Sequence, residues 1–377
     1  MPEIMWKRDR NLVTYCGTPL SSPTPPPSAT TVGISHLGTP SLIVRNMVAS
    51  SVTPVSQYQS SSIQANMPST SPLPSVAYLG PRSSYSHQAA LGRFDPAKYA
   101  LEPRTTIADV FIAVQAGAVA YGVVPFENST NGSVVFTLDL FCDRARSFRD
   151  TFVHGVTYLD VHHCLLSSAA SLSSVARIYS HPQAFGQCEN WLGANARGIE
   201  RIDVSSTSKA AQIVAGDAGA AAIASKIAAD VHGLKVLAAN IEDSADNTTR
   251  FFVLAAQPEL KAPVSKGPGE TDKTFLSFTV DHKIPGALCD SLKVFKDFGL
   301  NLTSISSRPS RLLPWDYIFF VEFEGHSDTQ DVQSALDELR KCCLSLRVLG
   351  SYKDHQRERE EGSRDRESKV AENGKAS

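Results

Sequence analysis

Five consecutive residues, Asn247-Thr248-Thr249-Arg250-Phe251, place an amide, two hydroxyls and a guanidinium directly ahead of the apolar run Phe252-Val253-Leu254-Ala255. A short apolar run of this kind is expected to be a buried strand. Its polar mouth could hold a small polar or anionic molecule through uncharged donors and one fixed positive charge. The same residues also suit a turn in which the Asn caps the backbone and the Arg is solvated. What decides between the two is whether other segments converge on the cluster.

Several upstream segments have the right form, each a short strand ending in small polar residues that open a helix. Val76-Ala77-Tyr78-Leu79 is strand-like, Gly80-Pro81 stops it, and Ser83 to Ser86 supply helix caps ahead of His87-Gln88-Ala89-Ala90-Leu91. A helix is expected over 107–114, with Ile107, Val110, Phe111 and Val114 on one face. Tyr121-Gly122-Val123-Val124 then runs into Pro125-Phe126-Glu127-Asn128-Ser129, with a helix from about Ser133 through Phe141. Arg177-Ile178-Tyr179 leads through Ser180-His181-Pro182-Gln183 into a helix over 184–192 carrying Gln187 and Cys188. Ser205 to Ser208 cap an Ala-rich helix, and Ala221 to Ser225 lead into another that Gly233 closes. Repeated βα units predict a mainly parallel sheet with ligand sites at the carboxyl ends of strands. Neither G-x-G-x-x-G nor a P-loop lysine occurs, so no nucleotide is implied.

Composition narrows the class. The chain has 377 residues and a formal net charge of -2, which offers no basic field for nucleic acid or a membrane surface. No apolar run reaches the roughly 18 residues of a spanning helix. The seven cysteines are scattered without a CxxC pair. That usage suits reduced thiols in a cytoplasmic compartment and argues against a metal site. Residues 1–75 hold 11 of the 22 prolines and are expected to be a disordered Pro/Ser-rich extension, too proline-rich for a further helical domain. A transit peptide or an inessential extension ahead of Met67 are the other readings. Residues 353–377 carry seven basic and seven acidic residues and are expected to be a disordered charged tail.

Gly80-Pro81 with Tyr85-Ser86-His87-Gln88-Ala89-Ala90, Val124-Pro125-Phe126-Glu127-Asn128-Ser129 with Gly132-Ser133, His163-Cys164-Leu165-Leu166, Tyr179-Ser180-His181-Pro182-Gln183 with Gln187-Cys188, Ser206-Thr207-Ser208 and Asn247-Thr248-Thr249-Arg250-Phe251 resemble the successive signatures of the prephenate dehydratase family. Each motif is weak by itself; six in the family's order over Val76 to Ala256 are specific. The resemblance implies an α/β fold: a two-lobed catalytic domain over 76–256, similar to type II periplasmic binding proteins. After a linker over 257–273, residues 274–352 read as βαββαβ, a ferredoxin-like module. Its Gly286-Ala287-Leu288 and Ser307-Arg308-Pro309 resemble the effector-binding loops of the ACT regulatory domain. Ser306 stands where that family usually has an acid, which puts effector affinity in doubt.

The resemblance implies prephenate as substrate, phenylpyruvate as product, no cofactor and no metal. L-phenylalanine is implied as effector where ACT domains pair, so a homodimer or homotetramer is expected. Expelling a ring hydroxyl and a ring carboxylate sets physical demands. The hydroxyl needs a proton or hydrogen-bond donor. A carboxylate gripped in the ground state is not helped to leave, because ground-state binding does not speed the chemical step. Neutral Asn128, Ser129, Ser180, Gln187, Ser206, Thr207 and Thr249 are therefore expected around the ring carboxylate, with Ser86 at a helix start. Thr249 is the family's catalytic threonine by position and is expected to donate a hydrogen bond to the departing oxygen. Glu127 is either a protonated acid or a structural carboxylate, and Arg250 either binds the pyruvyl carboxylate or braces the lobes. His87 is expected to pack or cap its helix, His181 to shape its loop, and His162-His163-Cys164 to be core strand. The ACT module is expected to be removable with loss of regulation and retention of turnover. Arogenate dehydratase and a non-catalytic amino-acid or keto-acid sensor are the alternative functions.

Overall fold

The computed structural model describes residues 72–256 and 271–354. The expected extension up to residue 71, the linker over 257–270 and the tail from 355 lie outside the described residues.

The first lobe contains β1 (Ser75–Leu79), α1 (Tyr85–Arg93), β2 (Ala100–Arg104), α2 (Ile107–Gln115), β3 (Tyr121–Asn128), β4 (Gly132–Ser133), α3 (Val135–Phe141) and β5 (Phe152–Asp160). The second contains β6 (Cys164–Ser167), β7 (Arg177–Ser180), α4 (Pro182–Gly186), α5 (Glu189–Asn195), β8 (Glu200–Asp203), α6 (Thr207–Val214), β9 (Ala220–Ala224), α7 (Lys226–His232) and β10 (Lys235–Ala238). The chain then returns to the first sheet as β11 (Thr248–Ala255). The C-terminal unit is β12 (Thr271–Thr279), α8 (Ala287–Asp297), β13 (Leu302–Pro309), β14 (Tyr317–Glu324), α9 (Gln330–Cys342) and β15 (Ser345–Asp354).

Both lobe sheets are mixed, where the βα alternation predicts mainly parallel ones. The first has the order β2-β1-β3-β11-β5, with β4 pairing β3. Its β1 runs parallel to β2 and β3, while β11 lies antiparallel between β3 and β5. The reversal arises because β11 enters from the second lobe, a topological fact no local pattern records. The second sheet has the order β10-β6-β9-β7-β8 and the C-terminal sheet the order β13-β14-β12-β15. Two boundaries also move. Thr271 to Lys273, placed in the linker, belong to β12, and Lys353-Asp354, placed in the tail, end β15. The helix expected over 184–192 is broken at Gln187-Cys188. There the Gln187 carbonyl accepts from the Asp243 N–H at 2.7 Å, and the Asp243 carboxylate accepts from the Asn190 N–H at 3.1 Å.

Alternation along β11 sorts its residues between two cores. Phe251 and Val253 pack with Val76, Tyr78 and Val123 under α1. Phe252 and Leu254 face the opposite way and share one cluster with Phe126 and Phe141 and with Phe275, Phe320, Leu349 and Tyr352 of the C-terminal sheet. Phe126 stacks on Phe252 with ring centroids 3.9 Å apart, and Phe275 lies 5.2 Å from Phe252. The C-terminal sheet thus completes the first lobe's core. Gly350 permits the close approach: at φ 154°, a Cβ there would stand 2.0 Å from the Val153 carbonyl oxygen. The second lobe has one cluster rich in small residues, among them Ala210, Ala211, Ala220, Ala222, Ala224 and Ala228, and another built on Leu165, Ile178, Phe185, Leu192 and Ile223.

Candidate active site

The lobes enclose a cleft of about 530 Å³. It is lined by the start of α1 (Ser84, Tyr85, Ser86), the β3–β4 turn (Asn128, Asn131, Gly132, Ser133), the first turn of α3 (Val135, Phe136), His163, His181, Gln183, Gln187, the start of α6 (Ser205 to Ser208), Asn247, Thr249 and Phe251. No Asp, Glu, Lys or Arg is among the lining residues. Two helix N-termini, one from each lobe, open onto it. Ser84 caps α1 by accepting from the His87 N–H, and Ser206 caps α6 by accepting from the Lys209 N–H. Unpaired first-turn N–H groups and the aligned peptide dipoles favour anions there. The cleft is therefore attractive to carboxylates without containing a countercharge.

Thr249 and Asn128 sit side by side where β11 crosses β3. The Asn128 carboxamide oxygen accepts from the Thr130 and Asn131 backbone N–H groups at 3.1 and 3.0 Å and from the Asn131 side chain at 2.9 Å. Its nitrogen therefore points the other way, donating to Asn247 Oδ1 at 2.7 Å and to Thr249 Oγ1 at 3.0 Å. Thr249 is thereby used as an acceptor by the protein. Its own O–H has no protein acceptor among the described residues and is free to donate into the cleft.

Six sequence-derived candidates line the cleft: Thr249, Asn128, Gln187, Ser206, Thr207 and Ser86. Four do not. Arg250 follows Thr249 on the strand and so faces the other side of the sheet. Its guanidinium lies over the Phe126 ring at 4.8 Å and donates to Glu322 Oε1 and Oε2 at 2.7 and 2.9 Å and to Glu127 Oε2 at 2.9 Å. The substrate-clamp reading is thus overturned, and the brace runs to the C-terminal sheet where lobe-to-lobe bracing was expected. Glu127, the neighbour of Asn128, is turned away by the same alternation and is a partner of Arg250, so it is not an acid of the cleft. Ser129 is occupied in both directions by the strand-crossing segment, donating to the Asp246 carbonyl and accepting from the Thr248 N–H, each at 2.9 Å. Ser180 is fully buried and donates to the Ile223 carbonyl at 2.9 Å, tying β7 to β9.

Comparison with known proteins agrees with this geometry. The family model "Prephenate dehydratase" matches residues 76–259, and the model "ACT domain" matches residues 274–341. A bifunctional chorismate mutase/prephenate dehydratase of Aquifex aeolicus is 44% identical over 277 residues, 74% of this chain and 73% of that protein. The chain belongs to the prephenate dehydratase family. Within it, a prephenate dehydratase of Methanocaldococcus jannaschii is 34% identical over 281 residues, covering 74% of this chain and 97% of that protein. Arogenate dehydratase/prephenate dehydratase 2 of Arabidopsis thaliana, described as chloroplastic, is 36% identical over 289 residues, with coverages of 74% and 72%. Among solved structures, the prephenate dehydratase of Arthrobacter aurescens in complex with L-Phe has a TM-score of 0.66 at 28% identity, covering 74% of this chain and 89% of that one.

As in its family, the chain carries a ferredoxin-like ACT unit after two α/β lobes. Gly286 takes φ 89° as the N-cap of α8, and Ala287 and Leu288 follow, packed against the ACT core. Ser307, Arg308 and Pro309 end β13, an edge strand. Arg308 is already engaged within the chain: its Nε and Nη2 donate to the two carboxylate oxygens of Asp139 on α3, at 2.9 and 3.1 Å. Burial alone would raise the Asp139 pKa, but its bonds to Arg308 and Arg144 hold it below the ordinary value. Because α3 also presents Val135 and Phe136 to the cleft, the ACT edge and the cleft wall share one helix.

Two cleft residues escape sequence reasoning, Tyr85 and His163. His163 read as core strand because Cys164-Leu165-Leu166 follows it. It is indeed buried, at 2% exposure, yet both ring nitrogens are hydrogen-bonded at the cleft. The only signal available was that a His opening an apolar strand must satisfy two ring nitrogens.

Proposed function

We infer that this chain is a prephenate dehydratase, a hydro-lyase that converts prephenate to phenylpyruvate, water and carbon dioxide and is regulated by L-phenylalanine. The observation that carries this reading is a cleft without charged side chains into which Thr249 can donate its hydroxyl hydrogen. The substrate is a dianion, and the starts of α1 and α6 offer one anion-attracting end from each lobe. In this reading Ser86, Ser206 and Thr207 hold carboxylate oxygens. Asn128 fixes Thr249, Thr249 donates to the departing hydroxyl, and Gln187 adds a second neutral donor. No cation grips the carboxylate that must leave as carbon dioxide, so its ground state is not over-stabilised. The aromatic product supplies the driving force.

Prephenate is favoured over arogenate by the same inventory. Arogenate carries an ammonium in place of the ketone, and no lining carboxylate is available to pair with it. The ACT unit is assigned the effector function, with Gly286, Ala287, Leu288, Ser307, Arg308 and Pro309 around L-phenylalanine at a junction between two copies. Loops at one end of the ACT sheet, linked by the His282–Tyr317 contact, expose Ile284, Leu312, Leu313 and Trp315, the last at 84%. These suit burial in a homodimer or homotetramer. No helix among the described residues is long and apolar enough to cross a membrane. The cysteines among them are all free thiols, which suits a reducing, cytoplasmic setting.

The test is phenylpyruvate formation from prephenate beside phenylalanine formation from arogenate, each with and without L-phenylalanine. Prephenate turnover suppressed by phenylalanine is expected. Preference for arogenate would change the substrate, and phenylalanine binding without turnover of either would leave a sensor. Thr249→Ala is expected to lower kcat about 10²-fold or more with KM nearly unchanged; a pure KM effect would remove the donor role.

A further inference from the structure

Tyr85, His163 and Gln187 form a hydrogen-bonded chain across the lobe boundary. Tyr85 is the first residue of α1, His163 stands where the chain has just entered the second lobe, and Gln187 occupies the break between α4 and α5. Tyr85 Oη lies 2.8 Å from His163 Nδ1, and His163 Nε2 lies 2.8 Å from Gln187 Oε1. The rings of Tyr85 and His163 meet edge to face at 5.9 Å. Burial lowers the His163 pKa, against the opposing effects of Gln187 and Glu242, and burial keeps the Tyr85 phenol protonated.

A neutral imidazole carries one proton, and its position sets the direction of the whole chain. With the proton on Nε2, His163 donates to the Gln187 oxygen, Tyr85 donates to Nδ1, and the Gln187 NH₂ is left for the cleft. With the proton on Nδ1, Nε2 accepts from the Gln187 NH₂ and the amide oxygen is left for the cleft. The two arrangements present opposite polarity to a bound molecule. Tyr85 has a competing acceptor, the His162 carbonyl at 3.1 Å, so its hydroxyl is the switch point.

We propose that Tyr85 and His163 are positioning residues that hold Gln187 with its amide N–H turned toward the substrate. The proposal rests on the prephenate dehydratase reading. In a cleft without cations the departing hydroxyl depends on neutral donors, and an amide oxygen facing it would repel the charge that develops there as it leaves. Because Tyr85 belongs to the other lobe, the chain is complete only while the lobes hold this closure. Gln187 is thus a donor made by lobe closure, whereas Thr249 is oriented within the first lobe alone.

Two measurements test this. Two-bond ¹⁵N–¹H imidazole spectra of the full-length protein labelled in histidine, with His163→Gln assigning the signal, report the tautomer whether or not prephenate turns over. The Nε2–H form is expected; an Nδ1–H form overturns the proposal. In kinetics, Tyr85→Phe and His163→Leu are each expected to lower kcat for prephenate at least tenfold with KM within about twofold. His163→Gln, whose amide N–H can replace the Nε2–H donor, is expected to recover most of that loss. Wild-type kcat in Tyr85→Phe, or His163→Gln no better than His163→Leu at equal melting temperature, overturns the proposal. If wild-type protein turns over no prephenate, the functional reading falls and the spectra alone decide the tautomer.

Discussion

The two lobes face one cleft but are held together by different means. The first has an aromatic core that it does not own alone: Phe126, Phe141 and Phe252 are closed over by Phe275, Phe320 and Tyr352 of the ACT sheet. The second has an alanine-rich cluster on one face of its sheet and a cluster of Leu165, Ile178, Phe185, Leu192 and Ile223 on the other, and neither cluster includes an ACT residue. Between the lobes run the two crossing segments and a few polar contacts. Ser225 donates to the Ser83 carbonyl, and Ser83 Oγ meets His232 Nε2, both at 3.2 Å. The first lobe and the ACT sheet therefore share one core, whereas the second lobe joins them through crossing segments and polar contacts.

That difference is bridged by one buried ionic link between the ACT sheet and the strand that carries Thr249. Arg250 is next to Thr249, and Glu127 is next to Asn128. Both side chains meet Glu322, directly or through Arg250, on the ACT side of the sheet. Glu322 is 1% exposed and also accepts from Tyr352 at 2.6 Å and Thr303 at 2.8 Å. Its carboxylate binds β11 to three ACT strands at the residue beside Thr249.

The largest expected effect comes from removing residues 271–377. Truncation should unfold the first lobe along with the loss of regulation, because it exposes to water the aromatic core that the ACT sheet covers. A soluble fragment with full turnover would restore the separable-module expectation. Next, Glu322→Ala should cost about 3–5 kcal/mol by stranding a buried cation, with Glu322→Gln milder, in denaturant unfolding. Burial would raise the Glu322 pKa, but Arg250 and the other donors hold it below the ordinary value. Its contribution is therefore fully present above the ordinary glutamate range and is lost as pH falls through the folded-state value. Stability of Glu322→Gln should accordingly be flatter than wild type on the acid side.

Core substitutions of equal or smaller effect separate the two cores. Phe275→Ala, an ACT substitution, should cost about 3–5 kcal/mol and destabilise the first lobe with it. Ala222→Val should cost about 1–3 kcal/mol by overpacking the second lobe, and should leave phenylalanine inhibition of the remaining activity intact. If both abolish inhibition equally, the comparison between a core shared with the ACT sheet and one that is not fails. Ser83→Ala should be the mildest, about 1 kcal/mol in melting, with its main effect on the lobe-to-lobe contact.

Much of the fold is legible in the amino-acid sequence. Caps and turn residues located α1, α6 and α7, and apolar periodicity located α2, within a residue or two, and six motifs in order identified the family and the strands that end at the cleft. The split of 184–192 at Gln187 was not legible, since the Asp243 backbone that breaks it lies 56 positions away in sequence. Nor were the true partners of Arg250, Ser129 and Ser180, which looked like ligand groups because polar residues at strand ends so often are.

The amino-acid sequence by itself determined the family, the order of the units and the chemical types at the cleft, because these reside in local patterns and in motifs read one after another. Only the tertiary structure decided which side of each strand those types face and with whom they pair. Alternation along β11 sends Thr249 to the cleft and Arg250 to Glu322, yet which face is the cleft depends on β11 entering antiparallel between β3 and β5. That pairing joins residues 88 to 132 positions apart, and no local signal encodes it.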